Sequence, residues 1–237
     1  MAGSLEVVFL DLYGTLVDIE TDEGSPRTRR AFEHWMADVH GETAAARERD
    51  HALFEDVRRA KAPGPFGEPD LGPVIAAHLG AAIGRAPNPA EVAAAAIAFR
   101  AASRLRLALL PGTVEALRRL AGRFRLAIVS NAQRLFTRPE LEQLGIGMFF
   151  DPVVLSSEVG VRKPGAEIFR RALAAARARP STTLHVGDDP TADVVGAAAL
   201  GMRTCLVGRA VATGDVVPRP DLQVPSVAAL PGLLLDS

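Results

Sequence analysis

The run Val7-Val8-Phe9-Leu10-Asp11-Leu12-Tyr13-Gly14-Thr15-Leu16 decides how the rest of this chain is read. Four apolar residues in succession predict a strand buried on both faces, as in a parallel sheet covered by helices. The strand delivers one carboxylate, Asp11, into a turn that contains Gly14. An acid at the carboxyl end of such a strand stands where open α/β sheets bind their ligands. Tyr13, two residues further on, is the only tyrosine of the protein.

Outward from that run, residues 20–108 are polar and alanine-rich, with few β-branched stretches. Segments around 26–40, 43–61, 70–83 and 89–109 predict amphipathic helices separated by Gly/Pro clusters, of which Ala62-Pro63-Gly64-Pro65-Phe66-Gly67-Glu68-Pro69 is the clearest. After Leu110-Pro111-Gly112-Thr113 the texture changes to short apolar strands alternating with helices. Strands are predicted near 126–131, 152–156, 183–189 and 204–207, and helices over 114–120, 165–178 and 194–200. This alternation predicts an α/β fold, a doubly wound parallel sheet with an all-helical insertion. The expected core is residues 1–19 and 109–237, and the expected insertion is 20–108.

Composition narrows the function classes. The 237 residues suffice for one α/β domain with a sizeable insertion. A formal net charge of -1 leaves no electrostatic footprint for nucleic acid or an acidic membrane surface. Cys205 is the single cysteine, so no intrachain disulfide can form, which suits a reducing compartment. The start, Met1 to Glu6, lacks the basic segment of a signal peptide, and no stretch approaches the roughly 20 apolar residues of a membrane span. A soluble cytoplasmic protein, monomer or homodimer, without nucleic-acid or membrane partners, is expected. Of 27 basic residues only Lys61 and Lys163 are lysine, and asparagine occurs only at 88 and 131. Where arginine serves nearly every surface need, a retained lysine marks a demand for a compact point charge.

Lys163 and Asn131 both fall among the strand ends that carry chemistry. Asp11 with Thr15, Ser130 with Asn131, Lys163, and Asp188 with Asp189 and Asp193 would converge on one edge of a parallel sheet. Such a set would bind Mg²⁺ through Asp11 and Asp188, while Lys163 and Ser130 hold an anionic group. The chemistry is attack by Asp11 on an electrophilic centre with a covalent intermediate.

Order and spacing resemble the haloacid dehalogenase-like (HAD) hydrolase superfamily. Its first motif, Asp-x-Asp-Gly-Thr-Leu/Val, is similar to Asp11-Leu-Tyr-Gly-Thr-Leu16, and its Ser/Thr-Asn motif to Ser130-Asn131. Its lysine motif resembles Val159-Gly-Val-Arg-Lys163-Pro164, and its acidic motif Gly187-Asp-Asp-Pro-Thr-Ala-Asp193. The resemblance implies a helical cap at 20–108 that closes over the site and a small phosphorylated or otherwise anionic substrate. It implies Asp11 as nucleophile, with Asp11, Asp188 and the backbone carbonyl of Tyr13 as Mg²⁺ ligands. Thr15, Ser130, Asn131 and Lys163 would form the substrate-binding set. Asp193 would anchor the metal's waters or Lys163, and Asp189 would help either or face solvent.

Tyr13 departs from the pattern, because HAD phosphatases place an acid–base aspartate there. A phenol with a pKa of about 10 can protonate a leaving group but is a weak base at pH 7. Losing the aspartate costs about 10²–10⁴ in rate, so the expected activity is a slow Mg²⁺-dependent phosphatase acting through an aspartyl-phosphate at Asp11. Tyr13 is read either as a catalytic or specificity residue or as a packing substitution. Two alternatives stand beside this. The Asp-x-Tyr-Gly-Thr form resembles metal-free L-2-haloacid dehalogenases, although Phe169 stands where those carry a tyrosine and their fourth motif is not acidic. A catalytically lapsed phosphate or metabolite binder is the other. His34, His40, His51, His78 and His185 show no paired metal spacing and read as structural, His185 with a minor claim to support the site. Arg27, Arg29, Arg30 and Trp35 read as the solvated start of a helix, with substrate gripping as the sharper alternative.

Overall fold

The computed structural model describes residues 4–208 and 218–236, so residues 1–3, 209–217 and 237 of the expected core lie outside it. In chain order the elements are β1 (Val7–Leu10), β2 (Val17–Thr21), α1 (Pro26–His40), α2 (Glu42–Asp50), α3 (Leu53–Arg59), α4 (Leu71–Ile83), α5 (Pro89–Ser103) and β3 (Arg104–Leu109). There follow α6 (Thr113–Ala121), β4 (Arg125–Ser130), α7 (Arg134–Gln143), β5 (Val153–Leu155), α8 (Ser156–Val159) and α9 (Ala166–Ala175). The last part holds β6 (Thr183–Gly187), a π-helical turn Pro190–Val195, α10 (Gly196–Ala198), β7 (Arg203–Val207), β8 (Leu222–Val224) and α11 (Leu230–Leu235).

Six strands form a parallel sheet in the order β5-β4-β1-β6-β7-β8. Strand β1 lies between β4 and β6, with Leu10 opposite both Ile128 and Val186. The chain order reverses at this strand, so a crevice opens at its carboxyl end. The unbroken apolar run of β1 follows from burial on both sides. Val8 and Leu10 face a core shared with α6 and α11, while Val7 and Phe9 face one shared with α9 and α10.

Between β2 and β3 runs the helical insertion, whose own core gathers Phe32, Met36, Ile75, Leu79 and Phe99. Local sequence sets its helix starts. Ser25 caps α1 ahead of Pro26, Asp70 caps α4, and Asn88 with Glu91 forms a reciprocal capping box on α5. Phe136 of α7 joins the same apolar cluster and seats the insertion on the sheet domain.

Four sequence expectations are corrected. The segment 43–61 is two helices, because His51 turns extended and the Glu48 carboxylate receives the Leu53 N–H at the break. The helix expected over 89–109 ends at Ser103, and Arg104–Leu109 pairs antiparallel with β2. The alternation Arg104-Leu105-Arg106-Leu107 has the two-residue period of a strand, which overrides the helical reading. The helix expected over 165–178 stops at Ala175, and Arg177 with φ 48° turns the chain out. The helix expected over 194–200 is the π-helical turn followed by the short α10. Among the described residues no helix is long and apolar enough to cross a membrane.

Candidate active site

Each strand around the crevice contributes one piece of chemistry. Asp11 follows β1 with its N–H bonded to the Val186 carbonyl of β6 at 2.8 Å, which fixes the backbone beneath its side chain. Ser130 ends β4 and is buried. Asp188 follows β6, and Lys163 arrives on the loop after α8. The parallel register therefore brings together groups that stand more than a hundred residues apart in sequence.

Lys163 is almost wholly buried, with its Nζ 2.8 Å from Asp11 Oδ1 and 2.6 Å from Asp193 Oδ1. Burial alone would lower its pKa, but the two carboxylates outweigh burial and raise it, so the ammonium stays charged. Asp193 is held below the ordinary carboxylate range: burial opposes this, and Lys163 and His185 override it. Its Oδ1 also accepts from His185 Nε2 at 2.8 Å, and its Oδ2 accepts the Asp189 N–H at 3.0 Å. Asp193 thus has no free face toward the crevice and works as the anchor of Lys163. The π-helical turn makes this contact, and it needs Gly187, where a Cβ would stand 2.1 Å from the Asp193 carboxylate.

Asn131 locks the lysine loop from the other side. Its Oδ1 accepts the Lys163 N–H at 2.7 Å and its Nδ2 donates to the Lys163 carbonyl at 3.1 Å. Thr15 Oγ1 donates to Asp188 Oδ1 at 3.0 Å. Gly14, at φ +85°, lets the turn pass the same carboxylate, which a Cβ there would meet at 2.4 Å. Asp189 does not turn toward the metal or Lys163, contrary to the first of its expected roles. Its Oδ1 accepts the N–H groups of Thr191 and Ala192 and caps the π-helical turn.

The donor set fits a divalent cation. Asp11 and Asp188 each bring a carboxylate oxygen within 4.8 Å of the other and of Asp193, whose own charge is taken up by the ammonium of Lys163. The Asp188 pKa is raised, first by burial and then by the Asp11 charge. Two unneutralised carboxylates in a sheet-end crevice match the one or two acids with which proteins hold Mg²⁺.

Tyr13 points elsewhere. Its hydroxyl donates to Glu140 Oε2 on α7 and lies 3.0 Å from Thr137 Oγ1. Its pKa is pushed above the ordinary value of 10, chiefly by burial and then by the Glu140 charge. The buried Glu140 also accepts from Arg100 Nε of α5 at 2.8 Å. A cleft of about 330 Å³ opens beside this network, lined by Tyr13, Asn131 and Gln133 of the sheet domain and by Glu23, Glu68 and Arg100 of the insertion or its approach.

Sequence reading missed Glu140, whose partner lies 127 positions away. It also underrated His185, whose inward position in β6 was the available signal. Arg27, Arg29 and Arg30 are exposed, and Arg29 pairs with Glu55, as the solvated-face reading expects. Phe169 is fully buried edge-on against His185.

Comparison with known proteins gives the same family. The haloacid dehalogenase-like hydrolase profile matches residues 5–201. The chain is 35% identical over 144 residues to glyceraldehyde 3-phosphate phosphatase of Methanopyrus kandleri, covering 60% of this chain and 61% of that protein. It is 37% identical over 99 residues to phosphoserine phosphatase of Thermus thermophilus, covering 42% of this chain and 40% of that one. The chain thus spans between about two fifths and three fifths of the length of these relatives. Among solved structures, 2-haloacid dehalogenase from Pseudomonas syringae pv. Tomato DC3000 is similar with a TM-score of 0.61 at 22% identity, covering 98% of this chain and 99% of that one. A HAD phosphatase from Thermococcus onnurineus is similar with a TM-score of 0.57 at 18% identity, covering 98% of each. At those identities the structures speak for the fold alone, and with the family profile they establish that this chain belongs to the haloacid dehalogenase-like hydrolases.

Proposed function

We propose that this hydrolase is a Mg²⁺-dependent phosphatase of a small phosphorylated metabolite, acting through an aspartyl-phosphate on Asp11. The observation that carries the reading is the pairing of Asp11 with Asp188 beside a single buried ammonium. Metal-free dehalogenation fits this pair poorly, since two adjacent carboxylates repel an anionic substrate. The phosphatase names of the relatives from M. kandleri and T. thermophilus point the same way.

Asp11, Asp188 and the Tyr13 carbonyl would hold Mg²⁺. When bound, it would neutralise charge on the transferring phosphoryl group. Asp11 Oδ forms a bond to phosphorus as the bond to the leaving oxygen breaks. Water then cleaves the acyl phosphate, releasing inorganic phosphate and restoring the carboxylate. Lys163, fixed by Asp193 and Asn131, supplies a charge that needs no reorganisation during the reaction. Ser130 and Thr15 complete the polar rim.

Tyr13 is not the acid–base group in this proposal. Its hydroxyl is already committed as a hydrogen-bond donor to Glu140, and its pKa is raised. Leaving groups that need little protonation, such as acyl and aryl phosphates, would therefore turn over fastest. Residues 20–108 act as the cap, and the 330 Å³ cleft at its base suits a small metabolite.

A panel of phosphorylated metabolites and an aryl phosphate, assayed with Mg²⁺ and with EDTA, tests the reading. Mg²⁺-dependent phosphate release that disappears in Asp11→Asn supports it. Full turnover in EDTA, or unchanged activity in Asp11→Asn, overturns it.

A further inference from the structure

We propose that the helical cap carries a separate cation site, formed by His51, Asp56 and His78 and suited to Zn²⁺. These residues come from three elements: His51 closes α2, Asp56 lies on α3 and His78 on α4. Their potential ligand atoms all lie within 4.8 Å of one another. The two carboxylate oxygens of Asp56 bridge the imidazoles, with Oδ1 2.8 Å from His51 Nε2 and Oδ2 2.8 Å from His78 Nδ1. Zn²⁺ bonds of about 2.0–2.2 Å put tetrahedral ligands roughly 3.3 Å apart. The two Asp56–imidazole contacts reach that spacing by opening about half an ångström, within the range of side-chain adjustment.

Glu48 supplies an independent reason to read the cluster as a metal site. Its carboxylate is buried, and its Oε2 lies 2.5 Å from His78 Nε2 while Oε1 accepts the Leu53 N–H. A carboxylate on the far nitrogen is the arrangement by which metal-binding histidines are oriented, leaving the other nitrogen for the ion. Here it leaves His78 Nδ1 beside Asp56. Without an ion, burial works to lower the His78 pKa, but Glu48 and Asp56 outweigh it, raise the pKa and favour the protonated form. A divalent cation would replace that proton and balance the two carboxylates with both imidazoles neutral. The nearby Arg47 guanidinium does not supply that charge at the cluster; it donates to the Ala81 and Ala82 carbonyls at the end of α4. Two imidazoles and one carboxylate favour Zn²⁺ over Mg²⁺, which prefers all-oxygen sets.

The site is open on one side. His51, Asp56 and His78 line a groove of about 840 Å³ whose walls include Pro73, Val74 and Ala77. Three protein ligands and an open face leave a fourth position for water or a small anion. No sequence spacing announces this, because α3 and the 62–69 loop separate the two histidines, and the packing of α2 and α3 on α4 joins them.

The test is Zn²⁺ titration by calorimetry and Co²⁺ titration by visible absorption on the tag-free full chain after chelator treatment. Both are run on wild type and on Asp188→Asn, which impairs the sheet-domain cation set. The expected result is one Zn²⁺ bound by Asp188→Asn and at least one by wild type, with the strong visible bands of low-coordinate Co²⁺ retained in the variant. His51→Ala, at a half-exposed position and checked for folding by circular dichroism, abolishes binding, and Glu48→Gln weakens it about 10–100-fold. No Zn²⁺ uptake by Asp188→Asn, or uptake unchanged in folded His51→Ala, overturns the proposal and leaves the cluster as an ion-pair network. The outcome is independent of the phosphatase assay.

Discussion

The Tyr13 hydroxyl, in the turn that follows Asp11, donates a hydrogen bond to the buried carboxylate of Glu140 on α7. A residue that stands in the acid–base position of a phosphatase is thereby tied to a structural acid. Tyr13→Phe should leave aryl-phosphate turnover within about twofold, because no catalytic proton is lost. It should reduce stability by about 1.5–3 kcal/mol, the range for a hydrogen bond to a charged group, measured by urea denaturation. Tyr13→Asp should raise turnover of alkyl phosphates, with about 10²-fold as the lower end of the acid–base contribution. A hundredfold loss of activity in Tyr13→Phe would return the phenol to the mechanism.

Lys163 gives a prediction in which stability and activity fall together. Lys163→Met leaves Asp11 and Asp193 buried without their shared cation, which should cost about 3–5 kcal/mol. Phosphate release should fall below detection in the fraction that still folds. Lys163→Arg should not restore activity, since a planar fork cannot occupy the place of a compact ammonium between two carboxylates. Activity near wild type in the arginine variant would count against the anchoring by Asp193.

Binding of Mg²⁺ should appear as thermal stabilisation without any substrate. At a hundred times its dissociation constant the ion should add about 2.7 kcal/mol, visible as a rise in Tm. Asp188→Asn should shrink that shift, and Thr15 should not rescue it, because its hydroxyl donates to position 188 rather than supplying a ligand carboxylate. An equal Mg²⁺ shift in wild type and variant would remove Asp188 from the ligand set.

The capping box on α5 should be legible in acid. Glu91 has its pKa lowered from 4.5 to about 2, first by the Arg85 hydrogen bond and then by the Asn88 N–H. A carboxyl whose folded value lies below its unfolded value stabilises fully above the unfolded value and loses that contribution as pH falls through the folded one. The Tm difference between wild type and Glu91→Gln should therefore be constant above about pH 4.5 and decline toward pH 2. A difference that does not change across this window would rule out the ionised cap as its source.

Much of this could be read before any coordinates, for reasons particular to each segment. Strand β1 declared itself because burial on both faces requires Val7, Val8, Phe9 and Leu10 all to be apolar. The starts of α1, α4 and α5 were visible from the Gly/Pro clusters before them, and in the structure Ser25, Asp70 and Asn88 cap them locally. The ribbon of β2 and β3 was hidden because it lies outside the main sheet and its two-residue alternation is short and only weakly backed by burial, Leu105 facing solvent. The roles proposed for Tyr13 and His78 rest on partners that no local pattern encodes. Glu140 meets Tyr13, and Glu48 meets His78, only through tertiary packing.

The same ribbon has a consequence for chain entropy. Thr21 and Arg104 are opposite each other in β2 and β3, so the whole insertion is a loop whose two ends are already held together. Closing such a loop costs free energy that grows only with the logarithm of its length, about 0.6 kcal/mol for each doubling. Segments between Thr21 and Arg104 can therefore lengthen or shorten at little entropic expense to the sheet that carries Asp11. The part of the molecule proposed to face the leaving group is the part whose size the fold constrains least.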